Sequence, residues 1–193
     1  MSKINTFSAV QILQTPRLIL RDWRDSDLPA FAALGADPEV MRYFPAPLSA
    51  AESSDFVAQI RARLHQHGWG FWALELRETG EFIGMAGLNI PRVALPFMPC
   101  VEIGWRLARP FWRQGLAFEA ASAALEFGFS TLQLAEIVAF TTLSNLRSQV
   151  LMQRLGMQLD AVSEFDHPAL SAGHPLLRHC LYRLSKEQFT KGI

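Results

Sequence analysis

The chain is predicted to fold as an α/β (α+β) domain, a single sheet with helices on its faces. Three observations predict it. The 193 residues are half hydrophobic, 11% aromatic and only 19% charged, enough apolar material for one substantial core. Strand-like and helix-like periods alternate from residue 17 onward. No internal repeat, low-complexity tract or long linker divides them. The order reads β, two helices, three β, α, β, α, two β, which makes about seven strands and about four helices. Residues 1–193 are therefore expected to form one domain, with a loosely attached arm over 1–14, a core over 15–185 and a tail over 186–193.

Each element has a local cause. Arg17 to Trp23 alternates as a strand, and Asp25 or Ser26 can cap a helix over roughly 27–36. Ser49 followed by Glu52 is a capping box that opens an amphipathic helix to about His67, with Phe56, Ile60 and Leu64 on one stripe and Gly68 as its stop. Trp69 to Leu76 and Glu81 to Ile90 flank a Glu78-Thr79-Gly80 turn as a hairpin. After Pro91, Pro96 and Pro99 come a strand over Val101 to Leu107 and a long helix from about Arg113 to Phe129. Ala135 to Thr142 is a β-branched and apolar run, hence a central strand, and Asn145 to Leu155 a helix stopped by Gly156. Met157 to Phe165 and Leu176 to Leu184 are expected to close the sheet as a strand pair.

Composition also excludes. The 18 basic residues balance 18 acidic ones in both halves of the chain, so no nucleic-acid footprint is expected. No apolar run reaches the roughly 18 to 20 residues of a membrane span, and the first residues lack the apolar core of a secretory signal. The expected location is cytoplasmic. Cys100 and Cys180 are expected to be free thiols, and the five histidines show no metal-binding spacing, so no metal is expected.

The stretch from Arg109 to Ala121 carries the chemistry. A strand runs into a turn containing Gly115 and then into an alanine-rich helix without Ser, Thr, Asp or Asn at its start. Its first backbone N–H groups lack a side-chain cap. Gly115 and Ala117 would let an anion approach them, and the helix dipole favours one. Arg106, Arg109 and Arg113 lie nearby and no acid occurs from 103 to 118, which suggests a phosphate cradle. A water-capped helix with solvated arginines explains the same stretch.

Trp112-Arg113-Gln114-Gly115-Leu116-Ala117 resembles the acetyl-CoA loop of the GCN5-related N-acetyltransferases, the GNAT superfamily. The resemblance runs from Arg17 to Leu184. More closely it resembles the branch containing the ribosomal-protein N-terminal acetyltransferases, which open with a Thr-x-Arg-Leu-x-Leu-Arg strand, here Thr15 to Arg21. They also carry Glu-Ile-Gly-aromatic, here Glu102 to Trp105, and Asn-x-x-Ser with a Leu-Gly helix stop, here Asn145, Ser148 and Leu155-Gly156. Two loop positions depart from the wider pattern, with Trp112 in place of Arg or Gln and Arg113 in place of Gly. Met152 stands where many relatives have a tyrosine thought to protonate the thiolate.

The resemblance implies a mixed, mostly antiparallel sheet of the acyl-CoA N-acyltransferase fold, acetyl-CoA as cosubstrate, an amine acceptor and a homodimer. It implies cofactor contacts from Ile103, Gly104, Trp105, Trp112, Arg113, Gln114, Gly115, Leu116, Ala117, Phe118, Asn145 and Ser148. Gly104 is compatible with a bulge that splays its strand from 135–142 and makes room for the pantetheine arm. Glu102 is the candidate general base and Ser148 the hydroxyl available to the departing sulfur. A structural ion pair for Glu102 and plain helix capping for Asn145 and Ser148 remain alternatives. Acceptor contacts are expected from Glu102 and from Tyr43 and Phe44, in a loop with few charges. The expected acceptor is a peptide N-terminus, or alternatively a small amine or amino acid. An acyl-CoA-binding sensor without catalysis is the competing class.

Overall fold

The computed structural model describes residues 4–160, 162 and 164–192. Its strands are β1 (Leu13–Gln14), β2 (Leu18–Arg21), β3 (Phe71–Leu76), β4 (Phe82–Asn89), β5 (Glu102–Leu107), β6 (Glu136–Thr142), β7 (Gln158–Leu159), β8 (Phe165–Asp166) and β9 (Arg178–Ser185). They form one sheet in the order β1-β2-β3-β4-β5-β6-β9-β7, with β8 also paired to β9. Every pairing is antiparallel except β5 with β6. The helices are α1 (Leu28–Ala36), α2 (Ala50–His67), α3 (Leu116–Glu126), α4 (Leu146–Arg154) and α5 (Lys186–Thr190). The expected mixed, mostly antiparallel sheet with flanking helices is the fold observed.

Local signals acted as read for α2, where Ser49 and Glu52 form the capping box and Gly68, at φ 76°, ends the helix. They failed at α1, where neither Asp25 nor Ser26 caps the helix because a single 3-10 turn, Asp25–Asp27, precedes it. The Asp27 carboxylate is engaged elsewhere, accepting from the Arg24 backbone N–H at 2.8 Å and from the Arg21 guanidinium at 2.7 and 2.9 Å. Arg21 also donates to Glu75 on β3 at 2.6 Å, and all three side chains are buried. This ion network clamps the start of α1 to the sheet.

The arm is not loose over its described part. The indoles of Trp69 and Trp72 are buried and their N–H groups need acceptors, which the arm supplies as the carbonyls of Asn5 and Gln11 at 3.0 and 2.7 Å. The predicted strand over 157–165 is observed as two short strands, β7 and β8, because Leu159 faces Tyr182 while Phe165 faces His179, so the two registers on β9 are out of step. Val162 is exposed between them, and Ala161 and Ser163 lie outside the described residues. The tail carries α5, opened by a Ser185–Gln188 capping box.

Two layers cover the central strands. Phe31 of α1 and Phe56 of α2 flank the Arg106 guanidinium, so these helices lie on the face presented by Glu102, Gly104 and Arg106. The chain just after α3 packs on the opposite face, where Gly128 abuts Leu88 and Ile137. Loop residues Leu95 and Phe97 seal a smaller apolar cluster with Val138, Phe140 and Phe165.

Candidate active site

The site begins where two parallel strands separate. β5 and β6 pair at a single position, Glu102 with Val138, and then diverge. No bulge at Gly104 causes this, contrary to expectation, since β5 stays in unbroken register with β4 from Glu102 to Leu107. Gly104 serves another purpose, because a Cβ there would press on the Phe71 ring at 3.1 Å. The alternation of the β4 pairing turns the N–H and C=O of Trp105 away from β4 and into the gap, where β6 no longer meets them. The gap thus offers unpaired backbone donors and acceptors beside Glu102.

Glu102 is half-buried at the closed end of this gap. Its Oε1 accepts from Asn89 Nδ2 at 2.6 Å, and Asn89 Oδ1 accepts from Arg63 Nη1 at 2.7 Å. Burial pushes the carboxyl up to about 7, against the opposing effects of the Asn89 hydrogen bond and the Arg63 charge. No ion pair holds Glu102 among the described residues. A carboxylate poised near neutrality beside open backbone donors can take a proton from an amine.

Beyond β5 the chain makes a short 3-10 turn, Arg109–Phe111, then reaches α3 through two left-handed residues, Arg113 at φ 61° and Gly115 at φ 78°. The helix starts at Leu116, three residues later than predicted, because those two conformations cannot belong to a right-handed helix. Gly115 occupies the N-cap position without a side-chain bond, and the first intrahelical bond is Glu119 N to Gly115 O at 3.0 Å. The amides of Leu116, Ala117 and Phe118 are therefore left open at the positive end of the helix. Only the Leu116 backbone can serve, since its side chain is buried in the core.

Several loop side chains brace the turn instead of reaching outward. Trp112 Nε1 donates to Leu107 O at 2.7 Å beneath the Arg147 guanidinium, and Gln114 Nε2 donates to Pro110 O at 2.8 Å. Arg17, which sequence reasoning did not assign to the site, donates from Nη1 to Gln114 O at 2.9 Å and from Nε to Glu119 Oε2 at 2.6 Å. Its signal was present in the Thr-x-Arg opening. A groove of about 920 Å³ runs past Arg17, Gly115, Phe118 and Arg154, and Arg154 lies 5.0 Å over the Phe118 ring.

Arg106 is not part of the phosphate cradle. It is 7% exposed on the opposite side, its guanidinium 4.0 Å from the Phe44 ring and flanked by Phe31 and Phe56. Strand alternation put it there, and burial holds its pKa down at about 10. Phe44 thereby reaches the Glu102 face of the sheet, whereas the Tyr43 ring meets Arg42. Asn145 caps α4, its Oδ1 accepting from Ser148 N at 3.3 Å and its Nδ2 donating to Thr141 Oγ1 and Ser148 Oγ at 2.9 and 3.0 Å. The Ser148 hydroxyl accepts in that arrangement, which leaves its own proton to donate. Met152 is 3% exposed, and burial pushes the Cys100 thiol up to about 11, so neither offers proton transfer or nucleophilic chemistry near neutrality.

Comparison with known proteins decides the class. Residues 17–158 match the acetyltransferase (GNAT) domain. The chain belongs to the GNAT acetyltransferases. It is 34% identical over 153 residues to the uncharacterized N-acetyltransferase YoaA of Bacillus subtilis, covering 78% of this chain and 85% of that one. A GNAT-family acetyltransferase from Bacillus anthracis superposes with a TM-score of 0.76 at 22% identity, covering 92% of this chain and 99% of that one. RimL, a ribosomal L7/L12 alpha-N-protein acetyltransferase in complex with coenzyme A, superposes at 0.71 and 19% identity over 91% of this chain and 98% of that one. GNAT acetyltransferases use acetyl-CoA. The open amides at Leu116 to Phe118 and the gap between β5 and β6 fit a pyrophosphate and a pantetheine arm, respectively.

Proposed function

We propose that this GNAT acetyltransferase moves the acetyl group of acetyl-CoA directly onto a primary amine, with Glu102 as general base. The observation that carries the proposal is Glu102 beside the divergence of β5 from β6, with its carboxyl raised to about 7. The amine nitrogen attacks the thioester carbonyl as Glu102 accepts its proton, directly or through water. The Trp105 N–H, facing the gap, stabilises the oxyanion that forms. Collapse of that intermediate breaks the carbon–sulfur bond, and the Ser148 hydroxyl passes its proton to the departing thiolate as it takes one from solvent. Leu116, Ala117 and Phe118 hold the pyrophosphate through their amides, and Arg17 keeps that loop in shape.

The three motifs that resemble ribosomal-protein N-terminal acetyltransferases support an α-amine as the accepting group, which a peptide N-terminus presents. The small cavity next to Asn89 favours a second reading, a free amino acid. Thermal unfolding with and without acetyl-CoA tests the cofactor half. Ligand at about 100 times its dissociation constant adds roughly 2.7 kcal/mol, a rise of about 5 to 10 °C for a domain of this size. CoA release against a panel of amines tests the transfer half. No rise at millimolar acetyl-CoA would overturn the cofactor reading, and a rise without release against any amine would point to a sensor.

A further inference from the structure

On the Glu102 side of the sheet, α2 and the chain around residue 90 enclose a cavity of about 300 Å³. Phe56 and Ile60 give it an apolar wall, and Arg63, Asn89 and Arg92 give it a polar one. Its charge is one-sided. Among the described residues neither Arg63 nor Arg92 forms an ion pair, and no Asp or Glu lines the cavity. Among the described residues Arg63 has one hydrogen-bond partner, the neutral Asn89 amide, and Arg92 has none. Behind the Phe56 wall stands a third guanidinium, Arg106, 5.3 Å from that ring, with Nε and Nη1 lacking any acceptor. The remaining titratable lining group is His67, tilted against Trp69. Two cations line this concavity with no carboxylate among its lining residues, and the nearest carboxyl acting on Arg63 is Glu102, a field that favours an anion over a polyamine.

The cavity is also coupled to the reacting end. Asn89 joins it to Glu102, and the Asn89 amide group limits the separation of Arg63 Nη1 from Glu102 Oε1 to about 8 Å. A molecule whose amine and carboxylate are one carbon apart, as in an α-amino acid, spans about that distance once each end makes a hydrogen bond.

We infer that the acceptor is a free amino acid, held by its carboxylate between Arg63 and Arg92 so that its amine faces Glu102. The assignment rests on the acetyl-transfer reading and narrows its acceptor. The neighbouring Phe56 and Ile60 then receive an apolar side chain. A protein N-terminus has its first carboxyl locked in a peptide bond and offers these arginines no charge at that distance.

The experiment compares free amino acids with their carboxamides, short peptides and spermidine, by CoA release and, without acetyl-CoA, by thermal shift. The expected result is a kcat/KM for the free acid about 10- to 100-fold above that of its amide, with no turnover of spermidine. Arg92→Met, a change at an exposed position, should cut that ratio about 10-fold, and Arg63→Met should do so as well. Equal use of acid and amide, or peptides preferred over amino acids, would overturn the inference while leaving acetyl transfer intact. If no amine releases CoA, the transfer reading fails, and the thermal shift still decides the carboxylate site. Stabilisation by amino acids but not amides, lost in Arg92→Met, supports it. No stabilisation by any amino acid, or the same by acid and amide, overturns it.

Discussion

Asn89 Nδ2 donates to Glu102 Oε1 at 2.6 Å across the β4–β5 pair, and this bond favours the ionised form of a carboxyl that burial pushes the other way. The two effects leave Glu102 at about 7. For a general base, kcat/KM should rise with pH through a limb centred near 7, and Glu102→Gln should abolish that limb and lower turnover by about 10² or more. Asn89→Ala removes the donor and should move the limb upward. Unchanged turnover in Glu102→Gln would remove this residue from the mechanism.

The same carboxyl sets a stability trend of defined sign. Its folded value lies above its ordinary 4.5, so the folded chain binds the proton more tightly than the unfolded one. That contribution is fully present below about 4.5 and is lost as pH rises through about 7. Chemical denaturation of the free enzyme should therefore show Glu102→Gln gaining stability relative to the parent between pH 5 and 8.

Arg17 and Glu119 hold the loop proposed to take the pyrophosphate from outside, through a 2.6 Å ion pair and the Gln114 carbonyl. Arg17→Ala should raise the acetyl-CoA dissociation constant by about 10-fold with a stability loss of about 1 kcal/mol. Gly115→Val places a β-branched residue at φ 78° and should cost about 1 to 3 kcal/mol. Calorimetric titration with acetyl-CoA separates loop distortion from lost folding.

Ser148→Ala keeps the Asn145 cap, which uses the Ser148 backbone N–H, and removes only the hydroxyl. It should lower kcat with little change in the KM for acetyl-CoA. Full activity would dispose of its role as the acid.

Arg21 pairs with Asp27 and Glu75 where all three are buried. Arg21→Met would leave the buried Asp27 carboxylate without a cation and Glu75 with Arg24 alone, and should cost about 3 to 5 kcal/mol, a fall of roughly 10 °C in Tm. Asp27 and Glu75 replaced together with Arg21 by apolar residues of similar volume should recover most of that loss.

Local chemistry was enough for much of this protein. The capping box at Ser49, the stop at Gly68, the hairpin around Gly80 and the uncapped start of α3 each depend on residues close in the chain, so their signals are readable without a partner. The class of reaction was legible for the same reason, since the loop from Trp112 to Ala117 and the strand from Glu102 to Trp105 are continuous segments.

What the linear chain could not specify are relations between segments. Whether Arg106 faced the phosphates or the Phe44 ring depended on which side of β5 the helices cover, a matter of strand alternation and packing. The bracing of the loop by Arg17, the arm's supply of acceptors to Trp69 and Trp72, and the chain Arg63–Asn89–Glu102 all join residues far apart in sequence. Their energies arise only once folding has removed the competing water, and only tertiary structure determines which groups then meet.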